Sequence, residues 1–229
     1  MLNPIWAIVP AAGVGSRMQA AIPKQYLTLG HQCVLAHTLD KLLNLQSVER
    51  VVVAVAENDS WFNQTILPHP KLTVVAGGST RAASVLNALN YVRDNADNPW
   101  VLVHDAARPC VRTDNVQRLI DAVLAGSSGG LLAVPAADTL KLVEGGTTKK
   151  TIDRTHIWHA HTPQMFRTLS LIAALEMAFD QNFEVTDEAS AVEFSGGNPL
   201  VVADARDNIK ITQPEDLLLA EWLITQQNI

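Results

Sequence analysis

The sequence predicts an α/β protein: a mostly parallel sheet with helices on both faces, plus a projecting β-arm. Three observations predict this. Short continuous apolar runs alternate with segments of helical period. The runs are rich in Val and are too short for helices. The alternation breaks once, between residues 139 and 164, into a period of two around a Gly-Gly turn.

Residues 5–9 form the first run, which stops at Pro10 and a glycine-bearing loop. Further buried-strand candidates are 48–56 (VERVVVAVA), 71–76 (KLTVVA), 100–104 (WVLVH) and 131–134. A parallel strand covered on both faces is apolar at nearly every position, so these runs need not alternate. Between them, residues 35–45 repeat Leu35, Leu39, Leu42 and Leu43, and 82–92 place Val85, Leu89 and Val92 on one face. Residues 114–124 open with Asp114 as a cap and repeat Val116, Leu119, Ile120 and Val123. Strand–helix alternation in this order calls for right-handed crossovers in a Rossmann-like sheet.

From 139 to 164 the helical period is lost: Leu140 and Leu142 alternate with polar residues, Gly145-Gly146 makes a turn, and 149–157 return as a second strand. Such an arm cannot bury its own face, so pairing with a second copy of the chain is its expected use. Helices resume at 167–179 and 187–194, and 199–203 reads as a last core strand. Thr212-Gln-Pro-Glu215 reads as a capping box opening a final helix through Trp222. With no repeat, low-complexity segment or linker, residues 1–229 read as one domain with 139–164 as its arm.

Composition narrows the function classes. The chain's 229 residues, 48% hydrophobic, can bury a full core. Seventeen Lys and Arg stand against 23 Asp and Glu, for a net charge of −6, with no basic block to grip a nucleic-acid backbone. No apolar run approaches the ~18–20 residues of a membrane span. The first ten residues lack a basic leader and run straight into a strand, so no cleaved signal is expected and the cytoplasm is the expected compartment. Cys33 and Cys110 have no metal or redox spacing and read as reduced thiols.

The strongest chemical signal is Pro-Ala-Ala-Gly-Val-Gly-Ser-Arg-Met at 10–18, followed by Pro-Lys-Gln-Tyr at 23–26. This loop follows the first strand, so it belongs at the strand's carboxyl end, where open α/β sheets bind ligands. Small residues Ala11, Ala12, Gly13 and Gly15 let backbone N–H groups approach phosphate oxygens, Arg17 adds a planar fork and Lys24 a point charge. The plain alternative is a glycine-rich turn with two solvated cations. Met18 replaces the third glycine of the dinucleotide fingerprint, and the Gly-Lys-Ser/Thr of a Walker loop is missing.

The second signal is His-Asp-Ala-Ala-Arg-Pro at 104–109, ending a strand. Asp105 there is placed to hold Mg²⁺ against a nucleotide phosphate, with Asp207 as a second acid. Alternatively, Asp105 caps a turn and pairs with Arg108. A third cluster, Gly-Gly-Ser-Thr-Arg-Ala-Ala-Ser at 77–84, reads as a helix start capped by Ser79 or Thr80, with Gly78, Arg81 and Ser84 bordering base and ribose. Thr186 could cap a helix and Lys210 could be a solvated charge. His156, His159 and His161 read as ordinary arm histidines, with His159 and His161 on one face of a strand.

Assembled in order, these segments and Thr-Asp-Glu-Ala-Ser at 186–190 and Asp-Asn-Ile-Lys at 207–210 resemble the 2-C-methyl-D-erythritol 4-phosphate cytidylyltransferases, from Ile8 to about Ala220. The resemblance implies a nucleotidyltransferase-type sheet that transfers CMP from CTP to a small polyol phosphate with Mg²⁺. It implies CTP binding by Pro10, Ala11, Ala12, Gly13, Gly15, Gly78, Ser79, Arg81, Ser84 and Asp105, and catalysis by Arg17, Lys24 and Lys210. Arg108, Thr139, Thr186 and Lys210 would hold the methylerythritol phosphate, and Asp105 with Asp207 the Mg²⁺. Arg154 would reach the partner's site in a homodimer formed through the arm. Family members often carry Asp where Ser79 stands, which implies a mild change in nucleotide contacts. Ribitol-5-phosphate is the alternative acceptor.

The implied chemistry is attack by the acceptor phosphate on the α-phosphorus of CTP. A phosphate monoester with a second pKa near ~6 is already mostly dianionic at neutral pH, so no general base is required. Positioning and cations carry the reaction. Two other classes compete. A nicotinamide oxidoreductase is opposed by Met18 and by the lack of an acid after the second strand. A non-catalytic nucleotide-binding oligomeric protein would need a broken cation set, yet Arg17, Lys24 and Asp105 are all present.

Overall fold

A computed structural model describes residues 4–13 and 22–227. The chain opens with β1 (Ile5–Pro10), then a 3₁₀ turn at Lys24–Tyr26 and a small hairpin of β2 (Thr28–Leu29) and β3 (Gln32–Cys33). Next come α1 (Val34–Leu43), β4 (Val48–Val55), a short α2 (Phe62–Thr65), β5 (Leu72–Ala76), α3 (Arg81–Asn95) and β6 (Trp100–Val103). The second half contains α4 (Thr113–Leu124), β7 (Gly129–Pro135), β8 (Leu140–Glu144), β9 (Thr147–Ile152) and β10 (Trp158–Arg167). It closes with α5 (Thr168–Asp180), α6 (Glu188–Phe194), β11 (Leu200–Ala203) and α7 (Pro214–Gln227).

Seven strands form one sheet in the order β11-β7-β10-β6-β1-β4-β5. All pairings are parallel except those of β10, which runs antiparallel to β6 and β7. Alternation along β1 assigns its side chains to two cores. Ile5, Ala7 and Val9 pack with Leu35, Leu39 and Leu42 of α1 and Val116, Leu119 and Ile120 of α4. Trp6 and Ile8 pack with Val85, Leu89 and Val92 of α3 and Leu171 and Leu175 of α5. The apolar stripes read from the sequence are the ones that cover the sheet. A third cluster docks α7 through Ala220 and Ile224 onto Ala107, Cys110 and Ile211. Both cysteines are buried and unbridged.

Several local expectations change. The arm is a β8–β9 hairpin whose turn glycines, Gly145 and Gly146, have φ of 56° and 75°. It stops short of residue 164, because from Trp158 the chain re-enters the main sheet as β10, where Met165 and Phe166 serve opposite cores. β11 is an edge strand paired with β7 alone, leaving Leu200 and Val201 exposed, so the last strand is not a core strand. Asp114 sits in the first turn of α4, which has no side-chain cap; there it complements the helix dipole. The acid that closes on Thr212 is Asp216, whose Oδ2 accepts from the Thr212 and Gln213 N–H groups at 2.8 and 2.9 Å, not Glu215. Thr186 is not the cap of α6: Asp187 is, in a capping box with Ser190. His159 and His161 do not share a face, because the β10–β7 register shifts between Ala160 and Gln164; His159 is exposed and His161 buried.

These elements position a cleft. β1 lies between β4 and β6, so the chain leaves it in one direction and returns on the other side. That reversal opens a crevice at the carboxyl ends of β1 and β6.

Candidate active site

Three loops meet at this crevice. After β1, Ala11 N–H donates to Ala54 O at 2.7 Å, and the Gln25 side chain donates to Ala11 O at 2.7 Å. After β5, Gly77 and Gly78 press against the β1 loop and α3. A Cβ on Gly77 would stand 2.5 Å from Ala12 Cβ, and one on Gly78 would stand 2.6 Å from Ala83 Cβ. Thr80 caps α3, its Oγ1 accepting from Ala83 N–H at 3.0 Å. Ser84 Oγ accepts from Gly78 N–H at 3.0 Å, tying the loop to the helix. After β6, the buried segment 104–111 forms the floor.

The cleft between these loops has a volume of about 360 Å³. Pro10, Ala11, Ala12 and Gly13 line one side, and Gly78, Ser79, Arg81 and Ser84 another. Lys24, Asp105 and Lys210 complete it. Lys24 Nζ donates to Ile211 O at 2.9 Å, so it reaches the segment that carries Lys210. Gly15 and Arg17 lie outside the described residues.

A second cleft, of about 260 Å³, adjoins the first and shares Arg81, Asp105 and Lys210 with it. Arg108, His161, Thr162 and Thr186 line its other side. The shared wall is a charge cluster. Asp105 Oδ1 takes Arg81 Nε at 2.8 Å, and its Oδ2 takes Lys210 Nζ at 2.8 Å and Arg108 Nε at 3.5 Å. Arg81 in turn grips Glu188 with both Nη atoms, at 2.7 and 3.1 Å. Burial pushes the Asp105 carboxyl up, but the surrounding Arg81, Lys210 and Arg108 outweigh it and hold it far below the usual carboxylate range. Burial likewise lowers Arg81, and Glu188 and Asp105 more than restore its charge.

A neutral relay fixes the Asp105 loop from behind. Asp105 N–H donates to Thr162 Oγ1 at 3.0 Å, Thr162 Oγ1 lies 2.9 Å from His104 Nδ1, and His104 Nε2 lies 3.1 Å from Arg108 O. Burial lowers His104 to about 4, so its ring is neutral at physiological pH. A single tautomer then satisfies the chain: Nε2–H donates to Arg108 O and Nδ1 accepts from Thr162.

Three predicted residues fall elsewhere. Asp207 does not join Asp105. Its Oδ2 is held by Arg112 at 2.6 Å, and it lines a separate cleft with Lys41 and Trp222, so the expected pairing of Asp207 with Asp105 is corrected: the two carboxylates do not face one cleft. The reversal has a local cause: Asn208 is pinned inward, its side chain donating to Thr162 O at 2.8 Å and its carbonyl accepting from Arg108 Nη1 at 2.6 Å, which turns the neighbouring Asp207 away. Thr139 and Arg154 are exposed at the base of the arm and line neither cleft; Arg154 Nη1 donates to Ala137 O.

Among the described residues no group of three or more His, Cys, Asp and Glu could cage a metal. Among the described residues, Asp105 is the one carboxylate lining the larger of these two clefts. A single carboxylate fits Mg²⁺ that is held mainly by phosphate oxygens of a nucleotide, and does not fit a protein-caged ion.

Sequence reasoning missed Glu188, Asp204 and His161 as parts of the site. Glu188 stood inside a quoted motif, where an acid at a helix start is ordinarily solvated; only the fold shows it buried against Arg81. Asp204 and His161 meet across β11, β7 and β10, and no spacing along the chain announces that.

A family model described as 2-C-methyl-D-erythritol 4-phosphate cytidylyltransferase matches residues 5–226. The chain is 50% identical over 227 residues to the protein of that name from Actinobacillus pleuropneumoniae serotype 7, covering 99% of this chain and 98% of that one. It is 51% identical over 229 residues to the Vibrio cholerae protein of the same name, covering 98% of each. The crystal structure of the Francisella tularensis protein of that name superimposes with a TM-score of 0.85 at 40% identity, covering 96% of this chain and all of that one. With a full-length family match and relatives at half identity, this chain belongs to the 2-C-methyl-D-erythritol 4-phosphate cytidylyltransferase family.

Proposed function

We propose that the protein transfers CMP from CTP to 2-C-methyl-D-erythritol 4-phosphate, giving 4-diphosphocytidyl-2-C-methyl-D-erythritol and pyrophosphate in isoprenoid precursor synthesis. One observation carries the reading: two adjoining clefts share Arg81, Asp105 and Lys210, so a nucleotide in the larger can meet an acceptor in the smaller across a common cationic wall.

In this reading the small-residue loop at Pro10–Gly13 and the Gly78, Ser79, Arg81 and Ser84 side take the cytidine, where a purine would not fit. Lys24, with Arg17, neutralises the triphosphate and the crowded phosphorus. Arg108, Thr186 and Lys210 take the acceptor, and Lys210 stands where both substrates meet. Mg²⁺ would be held by triphosphate oxygens and Asp105, and would supply charge neutralisation. Because both Asp105 oxygens already hold cations, nucleotide binding would draw Lys210 or Arg108 from the carboxylate toward phosphate. That exchange brings a cation to the reacting phosphates without removing its charge from the wall. No group in the clefts need accept a proton, since the acceptor phosphate arrives ionised.

We also read the chain as a single domain that dimerises through its β8–β9 arm, with Arg154 and Thr139 serving the partner's acceptor site. Exposed Leu142, Val143, Ile157 and Trp158 on and beside the arm support this. Among the described residues no helix is long and apolar enough to cross a membrane, and we place the protein in the cytoplasm.

Pyrophosphate release with CTP and Mg²⁺ tests the assignment. Release is expected with methylerythritol phosphate and far less with ribitol phosphate. Comparable turnover of the two acceptors, or of ATP and CTP, would overturn the substrate assignment.

A further inference from the structure

The smaller cleft contains a side chain that no motif placed in the site. His161 lines it, alongside Arg108 and Thr186. His161 Nδ1 lies 2.8 Å from Asp204 Oδ2. The Asp204 side chain is fully buried and also accepts from Asn208 Nδ2 at 2.7 Å and, on its other oxygen, from Asn115 Nδ2 at 2.6 Å. Burial pushes the Asp204 carboxyl up, but the hydrogen bonds from His161, Asn208, Asn115 and the Ala205 N–H outweigh it and keep the group ionised. An ionised carboxylate only accepts, so Nδ1 donates the shared proton and Nε2 is the ring nitrogen left to meet a ligand. Among the described residues, Nε2 hydrogen-bonds to none.

We propose that His161, held in one orientation by Asp204, is an additional acceptor-contact residue whose Nε2 hydrogen-bonds a hydroxyl of the polyol phosphate. This rests on the smaller cleft being the acceptor site. Arg81, Arg108 and Lys210 in that cleft suit the acceptor's phosphate, and the neutral groups Thr162, Gln164 and Thr186 beside His161 suit its hydroxyls. His161, with Thr162 and Gln164 of the same strand, therefore offers the polyol end a hydrogen-bonding face on β10. Asn208 connects the device to the rest of the site, since it bonds Asp204 with its side chain and Arg108 with its carbonyl.

The test is steady-state kinetics on the full chain with CTP, Mg²⁺ and methylerythritol phosphate. His161→Asn keeps an amide N–H where Nδ1–H stood, so the bond to Asp204 survives while Nε2 is lost. Losing one hydrogen bond should raise the acceptor KM about 3- to 10-fold, with the KM for CTP and the melting temperature unchanged. His161→Gln, which carries its amide toward the lost position, should recover part of the affinity. An unchanged acceptor KM in His161→Asn, or an equal rise in the KM for CTP, would overturn the proposal while leaving the proposed function intact. Absence of pyrophosphate release by the wild-type protein would remove both.

Discussion

Glu188 gives the most quantitative check on the charge cluster. Its side chain is 1% exposed and bonds both Nη atoms of Arg81. Removing one partner of a fully buried ion pair costs about 3–5 kcal/mol, because the other charge is left uncompensated. Here Arg81 keeps Asp105 at 2.8 Å, and its side chain is 27% exposed, so water and the second carboxylate recover part of that loss. Glu188→Ala should therefore destabilise the fold by about 2–3 kcal/mol. In a chain of this length that lowers the melting temperature by about 4–12 °C. Glu188→Gln, which keeps the shape and can still accept one hydrogen bond, should lose roughly half as much. Thermal melts of the three proteins measure the stability, and the KM for CTP should rise in step as Arg81 loses its anchor. An alanine variant melting within about a degree of wild type would refute the reasoning, since it would mean that Arg81 is not held by Glu188.

Other predictions follow from the same geometry. Lys24→Ala should lower kcat by ~10²–10³ while melting normally, as expected for losing a well-placed cation in the transition state; near-normal turnover would remove Lys24 from the chemistry. Stability should fall on acidification: burial lowers His104 from 6.5 to about 4, so the folded state binds fewer protons than the unfolded state between those values. Across that window stability rises with pH, by up to about 3 kcal/mol, and buried His37 adds in the same direction. A urea midpoint flat between pH 7 and 4.5 would contradict this. Val143→Arg on the exposed face of β8 should shift the protein toward monomer in sedimentation and lower turnover, whereas an unchanged assembly state would clear the arm of the interface.

Much of this architecture was legible because the signals are local. Leu35, Leu39 and Leu42 announce α1 by period alone, and a run such as VVVAV between polar flanks reads as a covered parallel strand. The residues lining the larger of the two clefts were legible because they sit in loops at strand ends, where small residues and isolated charges stand out. The exceptions are non-local. Leu-Val-Val-Ala at β11 looks like a core strand, and nothing in those residues says that only β7 will flank it. Residues 158–164 look like arm, and their place in the main sheet depends on pairing with both β7 and β6. Asp207 and Asp105 are alike as candidate ligands; the inward pinning of Asn208 separates them. The paired roles of Glu188 with Arg81 and Asp204 with His161 span separations of 107 and 43 residues, beyond the reach of any motif.

The account stands on the two clefts meeting at Arg81, Asp105 and Lys210. A crystal structure with a non-hydrolysable CTP analogue, Mg²⁺ and methylerythritol phosphate tests it most directly. The account predicts the triphosphate beside Lys24 and the acceptor beside Arg108 and His161, with the α-phosphorus at the shared wall. A triphosphate bound at the Arg112–Asp207 cleft, or the two ligands in pockets with no common wall, would contradict it.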